Sequence, residues 1–352
     1  MKLISLFSGC GGLDLGFKKA GFKFVWANEF DKTISTTFQK NFPKVELDTR
    51  SITEIDPKNV PNCDGIIGGP PCQSWSEAGA LRGINDKRGQ LFFDYIRFIK
   101  VKKPKFFLAE NVAGILFSRH SNALQNIFNH FLKIGYNVSF KLLDANDYGV
   151  PQSRKRVIIV GYPSSYEDFF IPPKPEKHKP NLKDAIYHLK DNAVSALEKN
   201  KPNPNTIIPN HEYMTGSFSS IYMSRNRVRT WDQPSFTIQA GGRHAPCHPQ
   251  APVMEKIEKN KCRFIKGKEK LYRRLSVREC ANIQTFPENF ILDYAQVANG
   301  YKMIGNAVPV EFAKKLALQI KSDLKRFDNK PLNFRKKGKL KNLNLSQLEM
   351  DV

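Results

Sequence analysis

Cys72 stands in a stretch whose composition suits a fixed and exposed nucleophile. Residues 65–75 read GIIGGPPCQSW, so two glycines and two prolines come directly before the thiol. A lone cysteine is more often an inert core residue, and that interpretation is kept for Cys10, Cys63 and Cys280. A nucleophile needs exposure, fixed geometry and neighbours that favour the thiolate. The stretch therefore predicts covalent chemistry at Cys72.

An acidic and a basic motif accompany the thiol. Glu110 follows the apolar run FFLA at 106–109, which predicts a strand ending at the sheet edge expected for Cys72. There Glu110 could act as an acid or hydrogen-bond donor, or simply face solvent. Arg154 and Arg156, in QSRKRV, precede another apolar strand and share one face of it. They could hold a phosphate or orient a carboxylate, with a solvated run of charge as the alternative.

A glycine-rich loop, FSGCGGL at 7–13, follows the first predicted strand. Small residues let the backbone turn tightly against a ligand, and the next helix begins there. The dinucleotide fingerprint would need a third glycine where Asp14 stands. Glu29 ends the second predicted strand, where doubly wound folds place a carboxylate on ribose hydroxyls. The pattern favours a nucleoside cofactor held without a pyrophosphate grip, and a plain glycine turn stays open as the alternative.

These residues need a framework that brings strand ends together. The predicted strands are the apolar runs at 3–7, 24–27, 65–67, 106–109 and 157–160. Helical patterns lie between them, for example after Gly12 and at 91–100, which predicts a parallel sheet covered on both faces. From about Pro163 to 270 the chain is loop-rich and basic, and a 3.6-residue pattern then predicts a helix over 310–327.

The charge balance points to a polyanionic partner. The 352 residues carry 56 lysines and arginines against 33 acids, a formal net charge of +23, with 40% hydrophobic residues. The apolar content excludes wholesale disorder. The basic excess indicates nucleic acid first and an anionic membrane second. A merely soluble basic protein is the alternative that composition leaves open.

The sequence also bears on location and on metals. No stretch approaches the roughly 18 consecutive apolar residues of a membrane helix. The start imitates a lipoprotein signal ending at Cys10, but its apolar part is too short, so we interpret it as a buried strand. Six cysteines without a CxxC pair fit a reducing cytoplasm. The set His244, Cys247, His248 and Cys262 lacks paired zinc-ligand spacings, so no metal is predicted.

Taken in order, the motifs resemble those of the cytosine-5 DNA methyltransferase family. They are FSGCGGLDLGF, ANEFD, GGPPCQSW, AENV, QSRKRV, YRRLSVRECANIQTFP and GNAVP. One motif alone is weak, but the ordered set, which runs from residue 3 to about 310, is specific. More narrowly, SWSEAGALRGINDKRGQLF and the region 210–250 resemble bacterial type II modification enzymes that methylate the inner cytosine of GGCC.

The resemblance implies an α/β fold. It consists of a Rossmann-like S-adenosylmethionine-dependent methyltransferase domain with a mostly parallel sheet, and a smaller loop-rich target-recognition domain. The implied division is a catalytic domain at 1–165, target recognition at 166–275, a return to the catalytic domain at 276–327 and a basic tail at 328–352. We expect that tail to be a mobile, solvated strip. The late GNAVP motif implies that the last helix packs back onto the first domain.

The resemblance also assigns roles. Cys72 would attack C6 of a cytosine flipped out of duplex DNA, while Glu110 bonds to or protonates N3. Arg156 would help hold the base, with Arg154 on phosphate or thiolate, and residues 76–98 would form a mobile loop over the site. Arg225, Arg227 and Arg243 would read guanine or phosphate. The matching positions for S-adenosyl-L-methionine are Phe7, Ser8, Gly9, Cys10, Gly11, Leu13, Glu29, Phe30, Leu91, Asn306 and Val308.

One position departs from the family pattern. An acid usually precedes an isoleucine at the end of the third strand and contacts the adenine, but here Ser51 precedes Ile52. Asp48, three residues earlier, is the substitute we consider. Alternative functions are a tRNA cytosine-5 methyltransferase and a non-catalytic DNA-binding protein on the same fold. The leading expectation is a cytoplasmic, monomeric enzyme acting on double-stranded DNA, with a cognate restriction endonuclease of the same site specificity.

Overall fold

An eight-stranded sheet forms the centre of the protein. The computed structural model describes residues 1–71, 87–334 and 336–342. The strands of this sheet are β1 (Lys2–Leu6), β2 (Lys23–Asn28), β3 (Glu46–Asp48), β4 (Gly65–Gly68), β5 (Phe106–Val112), β6 (Tyr136–Asp144), β7 (Lys155–Pro163) and, after four short strands elsewhere, β12 (Leu340–Asn342). Their order is β12-β6-β7-β5-β4-β1-β2-β3. Each pair is parallel except those of β7, which runs antiparallel to both β5 and β6.

The strand order determines where a ligand can bind. The chain moves from β1 outward to β2 and β3, then returns to β4 on the other side of β1. The strand order therefore reverses between β1 and β4, and such a reversal opens a crevice at the carboxyl ends of these two strands. The expected mostly parallel α/β sheet is therefore present, and all five predicted strands are found in it. β3, β6 and β12 were not predicted.

Helices pack against both faces of the sheet. They are α1 (Gly12–Lys19), α2 (Lys32–Asn41), α3 (Lys87–Lys102), α4 (Ser121–Lys133), α5 (Leu182–Ile186), α6 (Val277–Ile283), α7 (Val297–Asn306) and α8 (Val310–Arg326). The amphipathic pattern of α8 places Phe312, Leu316 and Ile320 in one core with Phe17 of α1. A Cβ on Gly16 would lie 2.4 Å from that of Ala313, so glycine permits this close approach. The late helix thus packs onto the first domain, as the GNAVP motif implied.

The expectation of a mobile loop over 76–98 is wrong for its second half. Residues from 87 onward belong to α3, and Phe92, Tyr95 and Phe98 of that helix are buried in the core. Apolar side chains at i, i+3 and i+6 form a helical face, and their burial against the sheet keeps this segment ordered. Residues 76–86 lie outside the described part of the chain.

The loop-rich region builds a smaller unit beside the sheet. It contains the two-stranded pairs β8 (Val194–Ser195) with β9 (Glu212–Tyr213) and β10 (Glu255–Glu258) with β11 (Lys261–Arg263). Tyr222, Val228, Met254 and Tyr272 form its own small core. A second core joins this region to α6 and α7, because Ile238 packs in one cluster with Leu275 and Ile304. Side chains of this unit therefore have a fixed relation to the sheet.

The described residues of the tail are mostly exposed, as expected, but the expectation of a mobile strip is wrong as far as residue 342. Leu340–Asn342 form β12, which pairs in parallel with β6 at the edge of the sheet. The Phe334 ring lies 5.2 Å from that of Tyr136, between ring centroids, and the Ser164 hydroxyl donates 2.9 Å to the Lys336 carbonyl. Basic side chains face outward while the backbone adds to the sheet, so composition alone concealed the strand.

In the described part of the chain, no helix combines the length and apolar character needed to cross a lipid bilayer.

Candidate active-site cleft

A cleft of about 310 Å³ opens at the carboxyl ends of β1, β2, β4 and β5. Its walls combine the glycine loop, the ends of the strands and the segment after α7. Of the predicted site residues, the cleft is lined by Phe7, Ser8, Gly9, Leu13, Glu29, Glu110, Asn306 and Val308. Further lining residues are Gly68, Gly69, Pro70 and Pro71, which lead to Cys72 in the sequence. Cys72 itself lies outside the described residues.

Glu29 ties the glycine loop to the end of β2. Its carboxylate accepts hydrogen bonds from the backbone N–H groups of Gly9 (2.7 Å) and Asp31 (2.8 Å). Burial raises the pKa of Glu29, against the two amide hydrogen bonds that lower it. The carboxylate faces the cleft where the sequence expected a ribose.

Four of the predicted cofactor positions do not line the cleft. Cys10 is buried with its thiol 3.5 Å from the Met303 carbonyl, and burial raises the pKa of this thiol to about 12. Gly11 has φ +91°, and a Cβ there would lie 2.4 Å from the Phe42 ring. Both residues therefore support the glycine loop on its buried side, away from the cleft. Leu91 packs against the core under the sheet, and Phe30 is 67% exposed.

Glu110, which lines the cleft, forms an ion pair with Arg156, which is not itself among the lining residues. Arg156 Nε lies 2.9 Å from Glu110 Oε1, and both side chains are about one-tenth exposed. The antiparallel register of β5 and β7 sets Val112 opposite Arg156, which brings the two charges together. Next to Glu110, Asn111 donates from Nδ2 to the Pro70 carbonyl at 2.9 Å. No role was predicted for Asn111, although its place beside Glu110 in the AENV motif was a signal that it belongs to the same site.

Arg154 is not where the sequence placed it. Its guanidinium is 1% exposed and donates to the carbonyls of Ile238 (2.9 Å), Gly305 (2.8 Å) and Ala307 (3.0 Å). β7 begins only at Lys155, so strand alternation does not place Arg154 beside Arg156. These three bonds replace the expected contact with phosphate or thiolate. Arg154 joins the loop-rich region to the segment around Asn306.

Asp14 also lines the cleft, although the sequence predicted no role for it. It lines the cleft from the first turn of α1, yet it is fully buried and neither of its carboxylate oxygens has a hydrogen-bond partner among the described residues. Burial raises the pKa of Asp14 to about 7. The available signal was an acid at the position of a fingerprint glycine.

A second, basic groove lies beside the cleft in the loop-rich region. Arg225 is exposed there, and Arg229 stacks over the Phe236 ring with its guanidinium carbon 4.1 Å from the ring centre. Ser153, directly before Arg154, is also part of the wall. The groove is lined by Ser153, Arg225, Asn226, Arg227, Arg229, Phe236, Thr237, Gln239, His244 and Pro246. No role was predicted for Arg229, although it follows Arg225 and Arg227 at the same two-residue spacing.

The three predicted DNA-reading arginines differ in their surroundings. Arg225 and Arg243 are exposed. Arg227 is 8% exposed, and it donates to the carbonyls of Tyr222 (2.8 Å) and Ile221 (2.9 Å). A guanidinium committed to two carbonyls supports the loop that presents its neighbours, so the expected direct readout by Arg227 is not supported.

Two of the side chains considered for zinc, those of His248 and Cys247, contact other groups. His248 Nε2 lies 3.4 Å from Glu279, and burial lowers the pKa of His248 to about 4. The Cys247 thiol lies 3.1 Å from the Tyr222 hydroxyl. Within the described ranges, no three such side chains are grouped to hold a metal ion.

Neither Ser51, at the usual position of the acid, nor its candidate substitute Asp48 reaches the cleft. Arg50 binds Asp48 with Nη2 2.6 Å from Oδ2, and this pairing lowers the pKa of Asp48. The Ser51 hydroxyl lies 2.8 Å from that of Thr53. Neither Asp48 nor Ser51 is part of the cleft lining, so the adenine contact expected for Asp48 is not supported.

Comparison with known proteins agrees with this geometry. The family profile described as C-5 cytosine-specific DNA methylase matches residues 1–322. The chain is 57% identical to the Type II methyltransferase M.FnuDI of Fusobacterium nucleatum, over 92% of this chain and 95% of that protein. It is 57% identical to the Type II methyltransferase M.NgoPII of Neisseria gonorrhoeae, over 93% and 97% respectively.

A solved structure shows the same fold. The Entamoeba histolytica methyltransferase EhMeth superposes with a TM-score of 0.68 at 19% identity, covering 92% of this chain and 98% of that one. The chain belongs to the C-5 cytosine-specific DNA methylase family. It is a DNA cytosine-5 methyltransferase whose methyl donor is S-adenosyl-L-methionine.

Proposed function

We propose that this C-5 cytosine-specific DNA methylase modifies the inner cytosine of GGCC through covalent catalysis by Cys72, with Glu110 and Arg156 holding the flipped base. The observation that carries the proposal is that Glu110 lines a cleft together with Pro70 and Pro71 and is held by Arg156 at 2.9 Å. Stacking in the duplex covers the ring faces at C5 and C6 of cytosine, so the base must leave the helix at a cost of a few kcal/mol.

Cys72 supplies the nucleophile in this proposal. Uncharged cytosine is a poor electrophile, so bond formation between the Cys72 sulfur and C6 requires that electron density be drawn toward N3. Glu110 provides that pull by hydrogen bonding or proton transfer at N3. The resulting adduct is an enamine whose C5 is nucleophilic. After methylation, loss of the C5 proton expels the Cys72 sulfur and regenerates the enzyme.

Two neighbours would fix the geometry of this step. Arg156 holds one oxygen of Glu110, which orients the other toward the cleft. Asn111 bonds to the Pro70 carbonyl, so the strand that carries Glu110 also holds the loop that leads to Cys72. Holding Glu110 and Pro70 on one strand would restrict the relative positions of the acid and the segment that leads to the nucleophile, so less entropy is lost when the base binds.

The cleft fits the cofactor on its own geometry. A Cβ on Gly12 would lie 2.4 Å from the Val308 carbonyl, so the loop and the segment after α7 meet closely around the cleft. Glu29 stands where a ribose carboxylate contact is expected, and Gly9 takes φ +58° beside it. S-adenosyl-L-methionine supplies the activated methyl group when bound. We assign Phe7, Ser8, Gly9, Leu13, Glu29, Asn306 and Val308 to its cradle.

The basic groove supports DNA binding by the loop-rich region, which we propose as the target-recognition domain at 166–275, between catalytic segments at 1–165 and 276–327. Exposed Arg225 and Arg243 can form bidentate bonds with guanine or ion pairs with phosphate. The net charge of +23 then favours the polyanion and makes affinity fall with salt. GGCC rests on the resemblance of residues 74–92 and 210–250 to GGCC-modifying enzymes.

We further infer a role in a restriction–modification pair, because the similar proteins from F. nucleatum and N. gonorrhoeae are both Type II methyltransferases. Methylation by this chain would protect the host from an endonuclease that cuts the same site. The enzyme would act as a monomer in the cytoplasm, where a reducing environment suits its free cysteines.

Trapping the covalent adduct tests the proposal. A GGCC duplex with 5-fluorocytosine at the inner position lacks the C5 proton, so the adduct cannot collapse after methylation. We expect a stable protein–DNA complex whose cross-linked peptide contains Cys72, and none with Cys72→Ser. Duplexes with the analogue at the outer cytosine, and tRNA, are the matched alternatives. An adduct at the outer position would refute the target, and one at another cysteine would refute the nucleophile.

A further inference from the structure

Asp14 is a buried acid in the cleft that the proposed mechanism does not use. It is 0% exposed, lines the cleft, and has no hydrogen-bond partner for either oxygen within the described residues. The Ser5 hydroxyl and the backbone of Asp14 itself act to lower the pKa of Asp14, but burial outweighs both. An unpaired buried carboxylate is costly, so such a group either takes up a proton or acquires a cation.

Among the described residues, the groups that act on Asp14 supply no positive charge. Glu29 acts on it as a like charge, and the Cys10 thiol, with its pKa raised to about 12, is neutral. α8 contributes Ala313 and the Val310 carbonyl where it meets α1. Three cations near the cleft are already engaged, Lys302 with Asp31, Arg156 with Glu110, and Arg154 with backbone carbonyls that include that of Ala307. Within the described residues, the floor of the cleft therefore has no cation left for Asp14.

We propose that the Asp14 carboxylate is the counter-ion for the positive charge of S-adenosyl-L-methionine, and that cofactor binding expels a proton from Asp14 to solvent. The inference rests on the proposed cofactor cleft. The cofactor carries a sulfonium and an ammonium group, and a cation brought near a buried acid favours the ionised form.

The raised pKa of Asp14 has a measurable consequence. With a value of about 7, Asp14 in the free protein is about half protonated at neutral pH. A cation lowers the pKa of a neighbouring carboxyl, so the bound state holds fewer protons than the free state. Affinity for the cofactor should then fall as the pH drops through about 7, and be about tenfold weaker at pH 6 than at pH 8.

Titration calorimetry on the full chain tests this directly. Binding of S-adenosyl-L-methionine is measured at pH 7 in buffers of different ionisation enthalpy, which gives the number of protons released. We expect about half a proton per cofactor for the wild type and none for Asp14→Asn. Glu54→Gln, a loss of acid at an exposed position, is the matched control and should match the wild type. An unchanged proton count in Asp14→Asn would assign the release to Glu29 and overturn the proposal.

Two analogues separate the sources of charge. S-adenosyl-L-homocysteine keeps the ammonium but lacks the sulfonium, and 5′-methylthioadenosine lacks both. Proton release on binding of S-adenosyl-L-homocysteine assigns the ammonium as the partner of Asp14. Proton release with S-adenosyl-L-methionine alone assigns the sulfonium. Equal release by methylthioadenosine would show that closure of the cleft, and not charge, moves the proton, which refutes the proposal.

The same experiment distinguishes this inference from the function on which it rests. Tight cofactor binding without proton release overturns the role of Asp14 alone, whereas absence of binding overturns the cofactor cleft as well. Should Asp14→Asn fail to fold, which thermal unfolding reveals, absence of proton release by the wild type, or equal release with methylthioadenosine, would still overturn the proposal.

Discussion

Arg156 Nε lies 2.9 Å from Glu110 Oε1, although the two residues come from strands that run in opposite directions. β7 is the strand that breaks the parallel pattern of the sheet, and its first residues enter beside the end of β5. The antiparallel strand therefore has a chemical consequence: it adds a cation at an edge where parallel strands deliver an acid.

Glu110→Gln tests the proton-handling role of this pair. Glutamine keeps the size and a hydrogen-bonding group but cannot transfer a proton to N3, so we expect methyl transfer to fall by about 100-fold or more. Cofactor binding, measured by calorimetry, should change little because the cradle residues are untouched. Near-normal turnover of Glu110→Gln would show that a hydrogen bond without proton transfer is sufficient.

For Arg154 we expect a loss of stability and not of catalytic chemistry. Arg154→Met removes three hydrogen bonds to carbonyls that are then left without their donor. Each such bond from a charged group contributes about 1.5–3 kcal/mol, but removing a buried charge recovers part of that. We expect a net loss of about 2–4 kcal/mol in the free energy of unfolding, measured with urea. Stability equal to the wild type, together with lost DNA binding, would restore the phosphate contact.

Arg243 and Arg227 form a matched pair for target recognition. Arg243 is exposed, so Arg243→Ala should weaken discrimination at one base pair by about 1–3 kcal/mol, seen by comparing GGCC with singly altered sites. Arg227 supports its own loop, so Arg227→Ala should lower the thermal stability and weaken all sites alike. Equal weakening of every site by Arg243→Ala would make that residue a phosphate contact.

The sequence located strand ends better than it located side chains. Glu29 and Glu110 were placed at the correct edge because parallel strands deliver their carboxyl ends to one side. Arg154 was expected beside Arg156 because its burial depends on Ile238 and on the segment around Asn306, which come from distant parts of the chain. Local spacing carries no record of such partners.

The same limit explains the missed strands. β3 has three residues, and β12 is surrounded by lysines, so neither shows an apolar pattern. β12 exists because β6 offers an unpaired edge, which is a property of the folded sheet. Asp14 was visible as an acid in a glycine motif, but its lack of partners depends on tertiary burial.

The docked tail supplies a final prediction. Phe334 packs on the core through Tyr136, whereas Leu332 in the same segment is 48% exposed. Phe334→Ala should lower the free energy of unfolding by about 1–3 kcal/mol, less than for a fully buried ring because Phe334 is only partly covered. Leu332→Ala, the matched control, should lower it by less than about 0.5 kcal/mol. Denaturant unfolding measures both. If the two variants were equally stable, the packing of Phe334 on Tyr136 would contribute nothing to stability, and this part of the tail would behave as the solvated strip that its charge suggested.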